Sequence, residues 1–131
     1  MMAPMQTIAH TPPGIYPAGP DYIHALELRA PRRLLLVSGT MGLDPAGRPG
    51  ATLAEQLDLI WSNLRAILAA ADMTVDDVVR ITSYLTDAAD AEANAAARVA
   101  ALGGRAVPTT AIVVGTLDPG WRVEIELLAA A

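Results

Sequence analysis

The sequence predicts an α+β domain with the element order ββαβαββ, in which one mixed sheet is covered on one face by two helices. Two observations support this prediction. One central segment repeats apolar residues at helical spacing and another is rich in alanine, while the segments before, between and after them favour strands. No internal repeat or linker interrupts the chain, so we expect residues 21–131 to form a single domain.

The N-terminal 20 residues contain five prolines and no continuous apolar segment. We therefore expect residues 1–20 to lie extended against the domain or to be partly disordered. A pair of strands is predicted next, over residues 22–29 and 32–39. The first strand alternates in polarity, and the second contains the apolar run LLLV, which is typical of a strand covered on both faces.

A helix is predicted from Thr52 to about Ala71. Thr52 and Glu55 have the three-residue spacing of a reciprocal capping box. The apolar residues that follow are spaced alternately four and three apart, as a single buried helix face requires. They are Leu53, Leu57, Ile60, Leu64 and Ile67.

A third strand is predicted over residues 78–86, because Val, Ile, Thr and Tyr are frequent there. Asp87 can cap a second, alanine-rich helix over residues 88–102. Gly103–Gly104 then ends this helix, since glycine readily adopts the left-handed conformation found at helix C-termini.

A closing strand pair is predicted over residues 109–116 and 121–128, joined by the turn sequence LDPG. The second strand is unusual because Glu124 and Glu126 alternate with apolar residues. A period of two places both carboxylates and Arg122 on the same strand face. Such a pattern is typical of a face in contact with water, and we keep that interpretation for Glu126.

Composition excludes several kinds of chemistry. The chain has no cysteine, so disulfides, thiolate nucleophiles and cysteine-ligated metals are excluded. All nine basic residues are arginine, so no lysine can form a Schiff base or attach PLP covalently. His10 lies in the N-terminal segment, and two histidines placed like His10 and His24 make no metal site.

Charge argues against nucleic acid as a partner, and hence against a ribonuclease. The formal net charge is −5, and no run of arginines is longer than Arg32–Arg33, so the electrostatic field repels phosphate backbones. The N-terminal segment fits neither a secretory signal nor a membrane span. We expect a cytoplasmic protein with no membrane partner.

Three sequence blocks together closely resemble the RidA/YjgF family of reactive-intermediate deaminases: LLLVSGTMGLDPAGR, EQLDLIWSNLRAILAAADMTVDDVVRITSYLTD and VEIELLAAA. The resemblance covers about residues 19–131 in the same order. It implies a chorismate-mutase-like fold and a homotrimer with a small-molecule pocket in each cleft between subunits. It also implies hydrolysis of enamine and imine products of amino-acid enzymes, such as 2-aminoacrylate, to ketoacids and ammonia with no cofactor.

The resemblance also implies roles for individual residues. Glu124 matches the glutamate that positions the attacking water, so it is the candidate catalytic residue, and we expect Glu124 rather than Glu126 to face the cleft. Tyr22 matches the pocket tyrosine, and His24, on the same strand face, stands where glutamine is usual. His24 is either a general acid or base or a structural residue. The other matching positions are Ser38, Gly39 and Tyr84, the last an aromatic position that interface packing also explains.

One departure concerns the arginine with which the family holds the substrate carboxylate. The family reads Pro-Ala-Arg-Ser or Pro-Ala-Arg-Thr where this chain reads AVPTTAIV, so Thr109, or Pro108 with a different gap, takes the place of arginine. Each hydrogen bond to a charged group contributes about 1.5 to 3 kcal/mol, so we expect slow turnover of 2-aminoacrylate. Thr109 and Thr110 are either ordinary strand residues or ligands of an uncharged polar group.

Two arginines are candidate replacements for the missing one. Arg105 follows the glycine pair on a loop that can reach the pocket, but it equally suits a solvated position near a helix C-terminus. Arg122 shares a face with Glu124, but it equally suits a surface ion pair with a neighbouring strand. Two hypotheses therefore remain: a deaminase with a non-standard substrate, and a non-catalytic trimer that binds a metabolite or regulates a partner.

Overall fold

The computed structural model describes residues 3–131. It confirms the α+β class. Val75–Asp77 and Ala88–Asp90 form two short 3₁₀ turns. The helices and strands are β1 (Gln6–His10), β2 (Ala25–Arg29), β3 (Leu34–Met41), α1 (Leu53–Ala70), β4 (Val78–Leu85), α2 (Ala91–Ala101), β5 (Thr109–Val113) and β6 (Val123–Ala130).

Four strands form the main sheet in the order β3-β6-β4-β5. Only β4 and β5 are parallel, and the other neighbours are antiparallel, so the sheet is mixed. Both helices cover one face. The core between them and the sheet contains Ile60 and Leu64 of α1 and Ile81 and Ile125 of the two central strands, all fully buried.

The opposite face of the main sheet has no helix on it, and we call it the open face. Alternation along each strand decides which side chains lie there. On β6, Val123, Ile125, Leu127 and Ala129 are buried in the core, so the residues between them lie on the open face. The open face comprises Leu34, Leu36, Ser38, Arg80, Thr82, Tyr84, Thr110, Ile112, Glu124, Glu126 and Leu128.

The predicted strand pair of residues 22–29 and 32–39 is wrong as a pair. β2 instead pairs antiparallel with β1, a strand within the N-terminal segment, and the two form a separate sheet. The chain turns between β2 and β3 at Ala30, whose φ of 55° is left-handed, and at Pro31. This turn directs β3 into the main sheet, where its partner is β6.

The predicted closing pair is also wrong as a pair, because β4 lies between β5 and β6. The helix α2 returns the chain to the end of the sheet where β4 began, which makes β5 parallel to β4. β6 then enters on the other side of β4, antiparallel to it. The position of β5 therefore brings its side chains next to those of β4 and away from those of β6.

The predicted helices are confirmed, with small differences at their ends. The Thr52 hydroxyl accepts the Glu55 amide as expected, but the Glu55 carboxylate accepts the amide of Ala51 instead of that of Thr52. Asp87 accepts the amide of Ala89 and so caps the 3₁₀ turn before α2. None of the helices in residues 3–131 is both long and apolar enough to cross a membrane.

Candidate functional site

Glu124 lies on the open face of β6, directly opposite Tyr84 of β4. Both side chains line a cleft of about 350 Å³ that is closed on one side by the loop after β5, residues 114–117. Glu126 lines the same cleft, so within one protomer both carboxylates face it. The reason is that two residues along a strand lie only about 6–7 Å apart, and the cleft spans that distance.

The strand β3 passes very close to the carboxylate of Glu124 at Gly39. A Cβ atom built on Gly39 would lie 2.0 Å from Oε2 of Glu124 and 2.8 Å from its Cδ, well inside contact distance. The register of β3 against β6 shifts between Val37 and Thr40, so a bulge lies at this point. Gly39 therefore adjoins the candidate catalytic group, while Ser38 is exposed on the open face.

The start of β6 is held by Gln56, a buried residue of α1 that the sequence analysis did not single out. Its side-chain nitrogen donates to the carbonyls of Gly50 and Gly120, at 3.0 and 2.9 Å. Its side-chain oxygen accepts the backbone amide of Arg122 at 3.0 Å. These bonds fix the turn that leads into β6, and with it the position of Glu124.

Tyr84 and Glu126 form a pair that the sequence analysis missed. The Tyr84 hydroxyl donates a hydrogen bond to Oε1 of Glu126. This bond raises the pKa of Tyr84, and desolvation and the charges of Glu126 and Glu124 raise that pKa further. Tyr84 is therefore a protonated hydrogen-bond donor inside the cleft, and Glu126 is partly buried instead of simply facing water.

Only one of the two threonines shares a face with Glu124. Thr110 lies on the open face, where its hydroxyl is 3.1 Å from Nη2 of Arg80. Thr109 lies on the other side of β5, and its hydroxyl donates to the carbonyl of Val107. The expected place of Thr109 beside Glu124 is therefore wrong, because strand alternation turns Thr109 away from the open face.

Neither candidate replacement arginine reaches the cleft. The Arg105 guanidinium donates to the carbonyls of Val75 and Val78 at the start of β4. The residue opposite Glu124 is Tyr84, about 20 Å further along that strand. Because these two bonds hold its Nη2 there, Arg105 stabilises the turn before β4.

Arg122 is held away from Glu124 as well. It precedes β6 and pairs with the buried carboxylate of Asp90, with Nη2 and Oδ1 2.9 Å apart. The expected ion pair with a strand neighbour is therefore replaced by one with the turn before α2. Arg122 connects the sheet to α2 and leaves the open face to other residues.

Tyr22 and His24 lie outside the strands, in the segment before β2. His24 Nε2 is 2.9 Å from the carbonyl oxygen of Tyr16. The His24 ring makes edge contacts with the rings of Tyr16 and Tyr22, at centroid distances of 4.9 and 5.9 Å. The three rings form one aromatic group at the surface, and the hydrogen bond to Tyr16 gives His24 a structural role.

The segment that contains this aromatic group runs beside the start of β5. Ile23 forms a parallel bridge with Pro108, and Asp21 pairs with Nη2 of the buried Arg98 at 2.5 Å. Because β4 and β5 separate this segment from β6, one protomer does not bring Tyr22 and Glu124 together.

Arg80 is a functional candidate that the sequence analysis missed. It is exposed on the open face and lines a second cavity of about 350 Å³. From the sequence, alternation along β4 puts Arg80 and Tyr84 on the same strand face. Only the strand order shows that Glu126 of β6 lies on that face as well. The other residues that line this cavity are Leu36, Val37, Ser38, Thr82, Glu126, Leu127 and Leu128. Within residues 3–131, no cluster of acids and histidines could hold a metal ion.

Comparison with known proteins identifies the family. The family model described as Endoribonuclease L-PSP matches residues 15–131. The chain therefore belongs to the RidA/YjgF family. It is 36% identical over 117 residues to Protein DfrA of Myxococcus xanthus, which covers 84% of this chain and 85% of that protein. It is also 44% identical over 54 residues to RutC family protein YjgH of Escherichia coli, and this match spans only 41% of each chain.

Solved structures of the RidA/YjgF family have the same fold. YyfB from Yersinia pestis, described as a member of the conserved Rid protein family, has a TM-score of 0.82 at 26% identity, covering 95% of this chain and 98% of that one. The structure of protein YjgH has a TM-score of 0.69 at 31% identity, covering 88% and 93% of the two chains. The family resemblance read from the three sequence blocks is thus confirmed.

Proposed function

We propose that this RidA/YjgF protein hydrolyses a reactive imine or enamine to a carbonyl compound and ammonia, without a cofactor. The observation that supports this most is the placement of Glu124, a partly buried carboxylate in a cleft with Tyr84, with room made for it by Gly39. A carboxylate in such a cleft can orient a water molecule and accept its proton.

The proposed reaction needs only water and one proton carrier. The oxygen of water bonds to the iminium carbon as Glu124 accepts a proton from that water, giving a neutral carbinolamine. Glu124 then returns the proton to the nitrogen, and the carbon–nitrogen bond breaks as the hydroxyl forms the carbonyl. The hydroxyl proton leaves through Glu124 to ammonia, so an iminium ion and water become a carbonyl compound and an ammonium ion.

The proposed active form is a homotrimer with its ligand cleft between subunits, as family membership leads us to expect. The open face supports association, because Leu34 and Leu36 are 63% and 73% exposed there and apolar surface of this kind favours contact with another protein surface. The separation of Tyr22 from Glu124 supports it too. A neighbouring subunit can bring these two residues into one cleft, whereas a single protomer keeps them apart.

A second candidate function is binding without catalysis. It is favoured by one observation: Arg105 and Arg122, the expected replacements for the family arginine, are bound to other parts of the chain. A trimer that keeps the cleft without a substrate anchor can serve as a metabolite-binding or regulatory protein.

The Glu124→Gln variant separates the two functions. An amino-acid oxidase supplies imines in the assay, and the release of ammonia is followed with and without the protein. We expect the wild type to accelerate release and Glu124→Gln to lose roughly a hundredfold of that acceleration. Glu92→Gln, which makes the same change at an exposed position of α2, is the control. A wild type that leaves every imine at its background rate contradicts the proposed catalysis.

A further inference from the structure

The cleft that contains Glu124 is lined by two carboxylates and by no basic side chain. Glu124 and Glu126 are the carboxylates, and no arginine or histidine of residues 3–131 lines the cleft with them. Arg80, the arginine of the open face, lines the second cavity and lies about 13 Å from Tyr84 along β4. The charges of both glutamates raise the pKa of Tyr84, whereas the charge of Arg80 has the smallest effect on that pKa. A ligand in this cleft therefore meets a negative electrostatic field.

The hydroxyl groups of the cleft have already used their hydrogens. Tyr84 donates to Oε1 of Glu126. Thr116 Oγ1 donates to the carbonyl oxygens of Asp118 and Trp121, at 2.9 and 2.7 Å. The polar side chains that line the cleft can therefore accept hydrogen bonds from a ligand, and Oε2 of Glu126 has no donor in the described part of the chain. A ligand that fits them must bring donors of its own.

We propose that the substrate is a cationic imine that carries no carboxylate, of the kind formed when a primary amine is oxidised, and that Glu126 holds its nitrogen. This inference rests on the proposed function and names the substrate class of the same cleft. A protonated imine has a positive charge, and its N–H donors lie in the plane of the C=N bond. Such a donor makes a charge-assisted hydrogen bond to a carboxylate, which is stronger than a bond between neutral groups.

A carboxylate on the substrate has no comparable partner in this cleft. It would lie near two like charges, and no lining side chain has a hydrogen to offer it. Removing an anion from water without a partner is costly, so we expect imines that carry a carboxylate to bind weakly. Val114 and Leu117 of the loop after β5 offer apolar contacts instead, which suit a hydrocarbon substituent on the imine carbon.

The two glutamates can divide the work because they lie two residues apart on β6. That spacing is about 6–7 Å, so one carboxylate can bind the nitrogen while the other orients water beside the imine carbon. We assign the nitrogen to Glu126, whose Oε1 is bonded to Tyr84 and whose Oε2 is open, and the water to Glu124. Tyr84 thereby positions Glu126 and, through it, the substrate nitrogen.

This substrate class agrees with the departure of the chain from its family. Slow turnover of 2-aminoacrylate is expected because Thr109 has no charge, and the two glutamates of the cleft are a second reason to expect it. Neither Arg105 nor Arg122 offsets them, because each is bound elsewhere. The missing arginine and the negative cleft therefore favour the same kind of substrate, one without a carboxylate.

Three ligands of nearly the same shape test the charge preference: benzamidinium, benzamide and benzoate, which are a cation, a neutral molecule and an anion at neutral pH. Each is titrated into the full-length protein and followed by the amide chemical shifts of residues 114–117. We expect benzamidinium to bind roughly tenfold to a hundredfold more tightly than benzamide, and benzoate to bind more weakly than either. Glu126→Gln keeps an acceptor for Tyr84 but removes the charge, so it should weaken benzamidinium binding roughly tenfold and leave benzamide binding unchanged. Glu92→Gln, at an exposed position of α2, is the control.

Two results of this titration overturn the inference. One is a wild type that binds benzoate at least as tightly as benzamidinium. The other is equal binding of benzamidinium by the wild type and a folded Glu126→Gln variant, with thermal melting as the check on folding. The comparison of the three ligands needs only the wild type, so it decides the charge preference even if Glu126→Gln does not fold.

Two imines that differ only in a carboxylate provide a second measurement. A flavin-dependent amine oxidase converts benzylamine to its imine, and an amino-acid oxidase converts phenylglycine to the same imine with a carboxylate on its carbon. We expect the acceleration of ammonia release over background to be roughly tenfold or more larger with benzylamine than with phenylglycine. Glu126→Gln should narrow this difference.

The two proposals fail in different ways. If benzamidinium binding depends on Glu126 but neither imine is hydrolysed faster than its background rate, the deaminase function is wrong and the cation site stands. If both imines are hydrolysed with the help of Glu124 and the phenylglycine imine is accelerated as much as the benzylamine imine or more, the substrate class is wrong and the function stands.

Discussion

The carboxylate of Glu124 fills the space that a side chain at Gly39 would occupy. A Cβ atom on Gly39 would lie 2.0 Å from Oε2 of Glu124. The two residues come from adjacent antiparallel strands and meet at the bulge in β3. The position of the candidate catalytic group therefore depends on a glycine about 85 residues earlier in the chain.

Gly39→Ala should displace the Glu124 side chain and remove the imine hydrolysis we propose. We also expect a loss of about 1 to 3 kcal/mol in the free energy of unfolding, because the extra methyl group overpacks the site. Urea denaturation and ammonia release measure the two effects. Gly115→Ala is the control for stability, since a Cβ atom there meets no atom within 4 Å. Full activity in Gly39→Ala would show that Glu124 need not occupy its present position.

The hydrogen bond between Tyr84 and Glu126 predicts that the stability of the fold depends on pH. Because this bond raises the pKa of Tyr84 above its usual value of about 10, it stabilises the fold fully below pH 10. The stabilisation is lost as the pH rises through the higher pKa of the folded state. Wild type should therefore be more stable than Tyr84→Phe at pH 7 to 9, and the difference should shrink above pH 10.

Urea midpoints of wild type and Tyr84→Phe across this pH range check the prediction. Absorbance of tyrosinate gives an independent check, because Tyr84 should ionise above the usual pKa of a tyrosine. Glu126→Gln removes the largest cause of the raised pKa and should lower the pH at which Tyr84 ionises. A Tyr84 that titrates at its usual pKa contradicts the hydrogen bond.

Local patterns in the sequence predicted much of the fold. Helical spacing predicted α1, and the bounds of α2 followed from Asp87 and the glycine pair, since caps and apolar faces are local features. Strand alternation placed Glu124 and Glu126 on one face, which the structure confirms. The family blocks then supported the overall arrangement of these elements.

The strand order was not predictable in this way. Periodicity tells which face of a strand is buried but not which strand lies beside it. The pairing of β1 with β2 joins residues separated by a long loop that contains four prolines, and no local signal marks it. The same limit explains why Arg80 was missed, because its relation to Thr110 exists only once β5 lies next to β4.

The ion pair between Asp21 and Arg98 links the segment before β2 to α2. Arg98 is only 4% exposed, and Asp21 is its partner at 2.5 Å. Asp21→Ala leaves a buried guanidinium unpaired and should cost about 2 kcal/mol or more, whereas Arg98→Met removes the charge itself and should cost less. Urea denaturation of both variants measures the difference. If Arg98→Met is the more destabilised of the two, the guanidinium has other partners that matter more than Asp21.

The exposed leucines of the open face lead us to expect that subunits associate through this face. Leu36 is 73% exposed in one protomer, on the face that we propose is covered in the trimer. Leu36→Glu would place a charge inside that interface at the cost of removing it from water, so we expect the protein to dissociate at micromolar concentration. Val99→Glu is the matched control, because Val99 is also exposed but lies on α2, on the opposite side of the sheet.

Light scattering should give three times the mass of one chain for the wild type and Val99→Glu, and a smaller mass for Leu36→Glu. Because the proposed cleft combines Tyr22 of one subunit with Glu124 of another, Leu36→Glu should also lose imine hydrolysis while its thermal melting remains cooperative. A wild type with the mass of one chain would contradict the trimer and leave the site with only the residues of a single protomer.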